Sequence, residues 1–318
     1  MKKNIYSKLT ALLLLAGVTT ITSCLKDNRY VDFENVGTLI ELPIAASGLF
    51  HAEAFPILNT PQSFKVPVNV AAPKALGSAL TVTLIVDAAA LKKYNDDTEA
   101  QYKIDSLAYE NDNTGTVDQP APPALYTLLP SNYYTLDNLK VTVPANQHLG
   151  YMTVTLPNTT LLNPSTAYAL PISIADASGQ KISQYKTVFY NVQAKNQYDG
   201  VYTVKGFVTR EGDDGTLAGI IKSGVTRPLA TVSASAVSFQ IPWRDGSSAG
   251  GLAGTTITVN SATNKITVAS SSNPALKNLP GYDNRYDPAT KTFYISVYWG
   301  TGPSNRATTD TLVYKGPR

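Results

Sequence analysis

Phe64-Lys65-Val66-Pro67-Val68-Asn69-Val70 places an apolar side chain at every second position, with a polar residue or a proline between each pair. Successive side chains of a strand point to opposite faces, so this period of two predicts a half-buried β-strand. Working outward, Leu80–Val86 offers a second apolar strand. Leu139–Val143 and Tyr151–Leu156 flank Pro144-Ala-Asn-Gln-His-Leu-Gly150 and predict a hairpin or a sharp corner. Ala167–Ile174 and Tyr185–Val192 add two more. The exception is Thr98–Tyr109, where Tyr102, Leu107 and Tyr109 among charged residues predict a short helix. A polar, Pro-rich loop follows over 111–123.

Lys195-Asn-Gln-Tyr-Asp-Gly200 interrupts the pattern and is read as a domain boundary. Beyond it, strands are expected at 201–209, near 229–243, and at 255–260, 265–270, 292–299 and 309–315. Asn260-Ser-Ala-Thr-Asn264 closes a hairpin and Asp287-Pro-Ala-Thr-Lys291 forms a turn. With Gly and Pro at short intervals and little 3.6-residue periodicity, the chain reads as all-β. A sandwich is the economical packing for the first half, and a small antiparallel barrel or sandwich for the second.

The amino terminus carries a different message. Lys2, Lys3 and Lys8 precede an apolar run from Leu9 to Val18, and small residues lead to Cys24, the only cysteine in the chain. These are the parts of an export signal, and the run is too short and interrupted for a permanent span, which needs about 20 apolar residues. Ile21-Thr22-Ser23-Cys24 resembles the lipobox of bacterial lipoproteins, which implies that Cys24 is lipidated and becomes the first residue of the mature protein. The expected organisation is a signal peptide at 1–23, a lipidated tether at 24–35, a sandwich domain at 36–195 and a barrel or sandwich domain at 196–318. The three signal lysines account for the whole formal charge of +3. The mature chain is therefore neutral, without the clustered Lys and Arg that a nucleic-acid partner requires. With Cys24 acylated, no thiol remains for a disulfide, a metal or catalysis.

Motifs for catalysis are thin. Gly246-Ser-Ser-Ala-Gly250 matches G-x-S-x-G, but Gly251-Leu-Ala-Gly254 stands where a helix should begin, and both histidines, His51 and His148, precede Ser248. Adjacent Asp213 and Asp214 do not suit the two opposed carboxyls of glycoside hydrolysis. Glu211-Gly-Asp-Asp-Gly215 and Asn111-Asp-Asn-Thr-Gly115 lack the later glutamate of a calcium loop. No enzyme activity and no cofactor are expected. Nineteen tyrosines and two tryptophans offer a better hint, because aromatic planes stack on the C–H faces of sugars. Strand parity puts Phe293, Ile295, Val297 and Trp299 on one face, and Tyr294, Ser296 and Tyr298 on the other. Phe239, Ile241 and Trp243 likewise share a face, so both tryptophans are assigned to the core. Tyr294 and Tyr298, with Tyr282, Arg285 and Tyr286 from the preceding loop, form the candidate ligand-binding patch.

Leu129-Pro-Ser-Asn-Tyr-Tyr134, Val141-Thr-Val-Pro-Ala-Asn146, Tyr168-Ala-Leu-Pro-Ile-Ser-Ile174, Tyr198-Asp-Gly-Val-Tyr-Thr-Val204 and Tyr286-Asp-Pro-Ala-Thr-Lys-Thr-Phe293 follow one another along the chain. In that order, behind the lipobox, they resemble the two-domain lipoproteins encoded beside starch-utilisation-type glycan uptake systems of Bacteroides-like bacteria. The resemblance implies an immunoglobulin-like first domain, a β-rich second domain and a lipid anchor in the outer membrane, at the cell surface. It also implies a non-enzymatic role in binding a polysaccharide or oligosaccharide, in company with outer-membrane glycan transporter components. An adhesion or fimbrial structural subunit is the alternative.

Overall fold

The computed structural model describes residues 37–302 and 305–318. The signal peptide, Cys24 and the tether lie outside the described residues. The chain is all-β, with one α-helix among those residues, and its strands form two pairs of sheets around two separate hydrophobic clusters.

In the first pair, a five-stranded sheet runs in the order Lys181–Ile182, Leu39–Glu41, Gln62–Ala71, Leu149–Leu156, Thr135–Leu136. Its partner runs Phe50–Pro56, Thr187–Lys195, Tyr168–Asp176, Leu80–Val86, Lys140–Val143. Val66, Val68 and Val70 meet Leu84, Ile172, Val188 and Val192 across the immunoglobulin-like sandwich, as alternation predicts. Tyr168–Ile174 instead is buried at every position. The cause is a second cover. Leu91 of the helix packs with Ala169 and Phe189 on the outer face of that sheet, so its central strand is shielded from water on both faces.

The helix runs Ala88–Glu110, ten residues earlier than expected at its start. Asp87 caps it by accepting from the Ala90 N–H at 3.0 Å, and Ala88-Ala-Ala-Leu-Lys-Lys93 is rich in helix formers that carry no apolar period to read. The segment between Val143 and Leu149 is a corner, not a hairpin: Lys140–Val143 pairs with Leu80–Val86 in one sheet, and Leu149–Leu156 with Gln62–Ala71 in the other. Asn146 takes φ 61° to make that change of sheet, a conformation Asn tolerates better than most residues.

Chain passage between the two clusters falls between Ala194 and Tyr198. Asn196 pins the crossing, donating its amide to the Ser233 and Ala236 carbonyls at 2.7 and 2.8 Å. The second pair of sheets begins with the seven-stranded one, which follows the path Gly219–Ile220, Gly200–Arg210, Arg306–Gly316, Thr292–Trp299, Lys277–Asn278. Thr226–Leu229 and Arg285–Asp287 are attached beside it. The four-stranded sheet runs Thr231–Ser233, Ala236–Ser238, Thr255–Val259, Ile266–Ser270. Asn278 joins the two by accepting from the Val268 N–H at 2.9 Å and donating to the Ile266 carbonyl at 2.7 Å, so a side chain replaces ladder bonds where the sheets curl together. Asn260–Asn264 does close a hairpin, with Asn264 at φ 57°.

Residues 229–243 hold short strands separated by turns. Phe239–Trp243 lies outside the ladders, yet Phe239, Ile241 and Trp243 are buried as their spacing requires. Trp243 and Trp299 meet in the core with ring centroids 5.6 Å apart.

Candidate functional site

The strand Thr292–Trp299 builds the candidate site because its two faces differ in kind. Phe293, Ile295, Val297 and Trp299 are buried in the second core, whereas Tyr294 and Tyr298 are partly open on the opposite face. Register then decides who stands beside them. Arg285, Tyr294, Thr311 and Lys205 form one row across the sheet. Ser296, Thr309 and Phe207 form the next, and Lys277, Tyr298, Ala307 and Thr209 the third. Side chains directly opposite across strands share a face, so each row is a line of neighbours.

Three aromatic rings therefore mark the corners of a shallow field. Tyr294 and Tyr298, four residues apart, stand about 13 Å from one another along the strand, and Phe207 lies two strands away, about 10 Å to the side. The floor between them is small and hydroxylated, with Ser296 Oγ bonded to Thr309 Oγ1 at 3.2 Å. Phe207 is 53% exposed, and its cross-strand neighbour Ile220 is 74% exposed. The sequence reading missed Phe207. Its signal was parity, since Tyr202, Val204 and Val208 are buried and an odd-numbered residue of the same strand must face outward.

Of the residues singled out from sequence, Arg285 and Tyr294 come together most closely. The guanidinium lies 4.0 Å from the Tyr294 ring centroid and 3.4 Å from Asp283. A cation over a ring face is attracted by the ring quadrupole, so Arg285 occupies one side of the Tyr294 ring. Asp283 also bonds Lys265, whose hydrogen bond keeps the carboxyl below its ordinary range. Tyr282 is 55% exposed in the preceding loop. Tyr286 does not belong to the patch. It is only 3% exposed, packs edge-on to Tyr198 at 4.9 Å and lies 4.7 Å from Phe293, and burial pushes its phenol up to about 12. The reason is register: Tyr286 is the cross-strand partner of Phe293, so it must share that residue's inward face.

Elsewhere, polar residues read as unsuited to catalysis are engaged locally. Ser248 Oγ faces Gln240 Oε1 at 3.4 Å, in a loop with no helix behind it. Asp213 accepts from the backbone N–H groups of Gly215, Leu217 and Ala218, and those bonds lower its carboxyl. His51 meets Glu53 at 3.4 Å beside Tyr190, and His148 Nδ1 meets the Val70 carbonyl at 2.8 Å. Among the described residues, no three His, Cys, Asp or Glu side chains gather as a metal site would require. What the aromatic face can do is noncovalent: present ring planes, hydroxyls and a fixed cation to a flat ligand.

A family model whose description reads "-like, N-terminal domain" matches residues 45–181. No curated protein matches the chain in sequence. A structure of unknown function from Bacteroides ovatus is 16% identical, with a TM-score of 0.50, over 88% of this chain and 92% of that one. A second from the same organism, also of unknown function, is 13% identical at a TM-score of 0.49, over 87% and 93%. An auxiliary nutrient binding protein from Bacteroides thetaiotaomicron is 14% identical at a TM-score of 0.48, over 84% and 90%. The first of these likenesses extends to the two-part β-rich fold along most of both chains.

Proposed function

We propose that this protein is a non-enzymatic, lipid-anchored β protein of the outer membrane that binds an extracellular glycan at the cell surface for an uptake system. The observation that carries the reading is the outward face of the seven-stranded sheet, where Tyr294, Tyr298 and the exposed Phe207 frame a floor that carries the Ser296 and Thr309 hydroxyls. Ring planes take the C–H faces of pyranoses, while Arg285, Thr309 and Thr311 serve their hydroxyls. Many copies tethered through Cys24 would then hold one polymer by multivalency, close to outer-membrane glycan transporter components.

Binding of purified protein to an array of plant, host and microbial polysaccharides tests this. Tyr298→Ala is expected to weaken the affinity about tenfold, the equivalent of about 1.4 kcal/mol. Tyr294→Ala should cost at least as much, because it also unseats Arg285. Both variants should melt with the wild type, since these rings lie outside the core. Equal affinity of all three proteins would remove the site, and a wild type that binds nothing on the array would remove the function. Cys24→Ser should move the protein from the membrane to the soluble fraction, and unchanged fractionation would refute the anchor.

A further inference from the structure

The first half of the chain carries a groove of about 410 Å³ on the side of the helix, closed by the Pro-rich loop. Two ridges of the helix line it. Tyr94, Thr98 and Tyr102 form one, and Asp97, Gln101 and Asp105 the other. Each ridge follows i, i+4, i+8 spacing, so its members stand about 6 Å apart along the axis. Pro120 and Pro123 supply the opposite wall.

Both walls are held in place. Tyr94 is wedged edge-on against Phe50 at 4.9 Å and against Phe189 at 6.0 Å, which fixes the inner end of its ridge. Asn95 clamps the far end of the loop, donating to the Tyr126 carbonyl at 2.8 Å and accepting its N–H at 3.1 Å. At the near end, Asp112 accepts from Thr114, Thr116 and Val117. The groove is thus built before any ligand arrives, which lowers the ordering cost of binding.

We infer that this groove is a second glycan-binding site, selective for a neutral polysaccharide over an acidic one; the inference rests on the proposed function of the protein. Tyrosine and proline faces alternate with amide, hydroxyl and carboxylate groups, at a spacing comparable with the length of one pyranose unit. Carboxylates are strong acceptors for sugar hydroxyls. Among the described residues no cation lines the groove and none pairs with Asp105, so a uronate or sulfated sugar would meet that carboxylate uncompensated, and like charges reject it. A basic peptide suits the groove less well, because Asp97 is already paired with Lys93 at 2.7 Å and Asp105 already accepts from Gln101 at 2.8 Å. Asp97 therefore offers directional lone pairs rather than unpaired charge, and Asp105 alone is left to meet a cation.

The test uses the purified full chain and a panel of α-glucan, β-glucan, xylan, mannan and polygalacturonate. The Tyr294→Ala/Tyr298→Ala protein should keep residual binding to one neutral member and none to polygalacturonate. Adding Tyr102→Ala should abolish that residue, whereas adding Tyr102→Phe should preserve it. In the otherwise wild-type chain, Tyr102→Ala should weaken capture by the immobilised polymer at least tenfold, because two linked sites become one. If the double variant binds nothing and Tyr102→Ala matches wild type, the groove is refuted while the sheet face stands. A wild type that binds no member of the panel would overturn both.

Discussion

Trp299→Ala is expected to destabilise the protein by about 3–5 kcal/mol, the usual cost of removing a fully buried large aromatic. Trp299 is 1% exposed, stacks obliquely on Trp243 and belongs to the same cluster as Ile241, Ile295 and Val297, so no neighbour can swing in to fill the space. Trp299→Phe should cost much less. It keeps most of the ring contact and removes the indole N–H, which is buried without a hydrogen-bond partner among the described residues. Urea unfolding of the three proteins gives the comparison, and hydrogen exchange locates the damage. Faster exchange is expected at Val204, Val208 and Leu312, with Val66, Leu84 and Val188 in the other cluster unchanged. Equal stability of the Ala and Phe variants would show that packing of this ring does not support the core.

Asp310→Asn should have the opposite sign, and only above acid pH. Asp310 stands in the Arg306–Gly316 strand, between Gly206 on one neighbour and Ile295 on the other, fully inside the second core. Gly206 is required by that arrangement: a Cβ would run into the Thr309 carbonyl and the Asp310 carboxyl and lie 2.9 Å from Asp310 Cα. Thr308 donates to Oδ1 at 2.6 Å, and Oδ2 has no partner among the described residues. Burial pushes the carboxyl up to about 7, against the opposing pull of Thr308 and of Arg227. The folded protein therefore keeps this proton where the unfolded chain, titrating near 3.8, has released it. Stability must fall as pH rises from about 4 to 7 and stay low above that window. At pH 8 the charged carboxylate weakens the native state by up to about 4 kcal/mol. Asn keeps the shape without the charge, so Asp310→Asn should exceed wild type in stability at pH 8 and approach it at pH 4. Parallel pH profiles for the two proteins would rule out the buried carboxylate as the cause.

Much of this was legible because a strand's side chains alternate strictly. Parity alone assigned Trp243 and Trp299 to the core and separated Tyr294 and Tyr298 from Phe293 and Ile295, and each assignment is observed. The same rule applied to Val201–Thr209 would have found Phe207. Parity stops at the end of a strand, however. Tyr286 looked like a loop residue beside Arg285, and only its pairing with Phe293 sends it inward while its neighbour stays out.

The helix shows another limit. Its start at Ala88 comes from an N-cap and intrinsic propensity, and only Leu91 of its 23 residues is buried, so apolar periodicity had little to report. The groove beside it depends on a loop brought back by Asn95 and Tyr126, 31 positions apart, and no local pattern encodes such a contact. The sequence by itself determined the all-β class, the turns and which face of each long strand is apolar, because these follow from residues a few positions apart. Tertiary structure alone decided which strands share a sheet, how Val143 and Leu149 come to lie in opposite layers, and which aromatics assemble into one surface. Those outcomes depend on register and pairing between distant segments, where a shift of one residue exchanges the inner and outer faces.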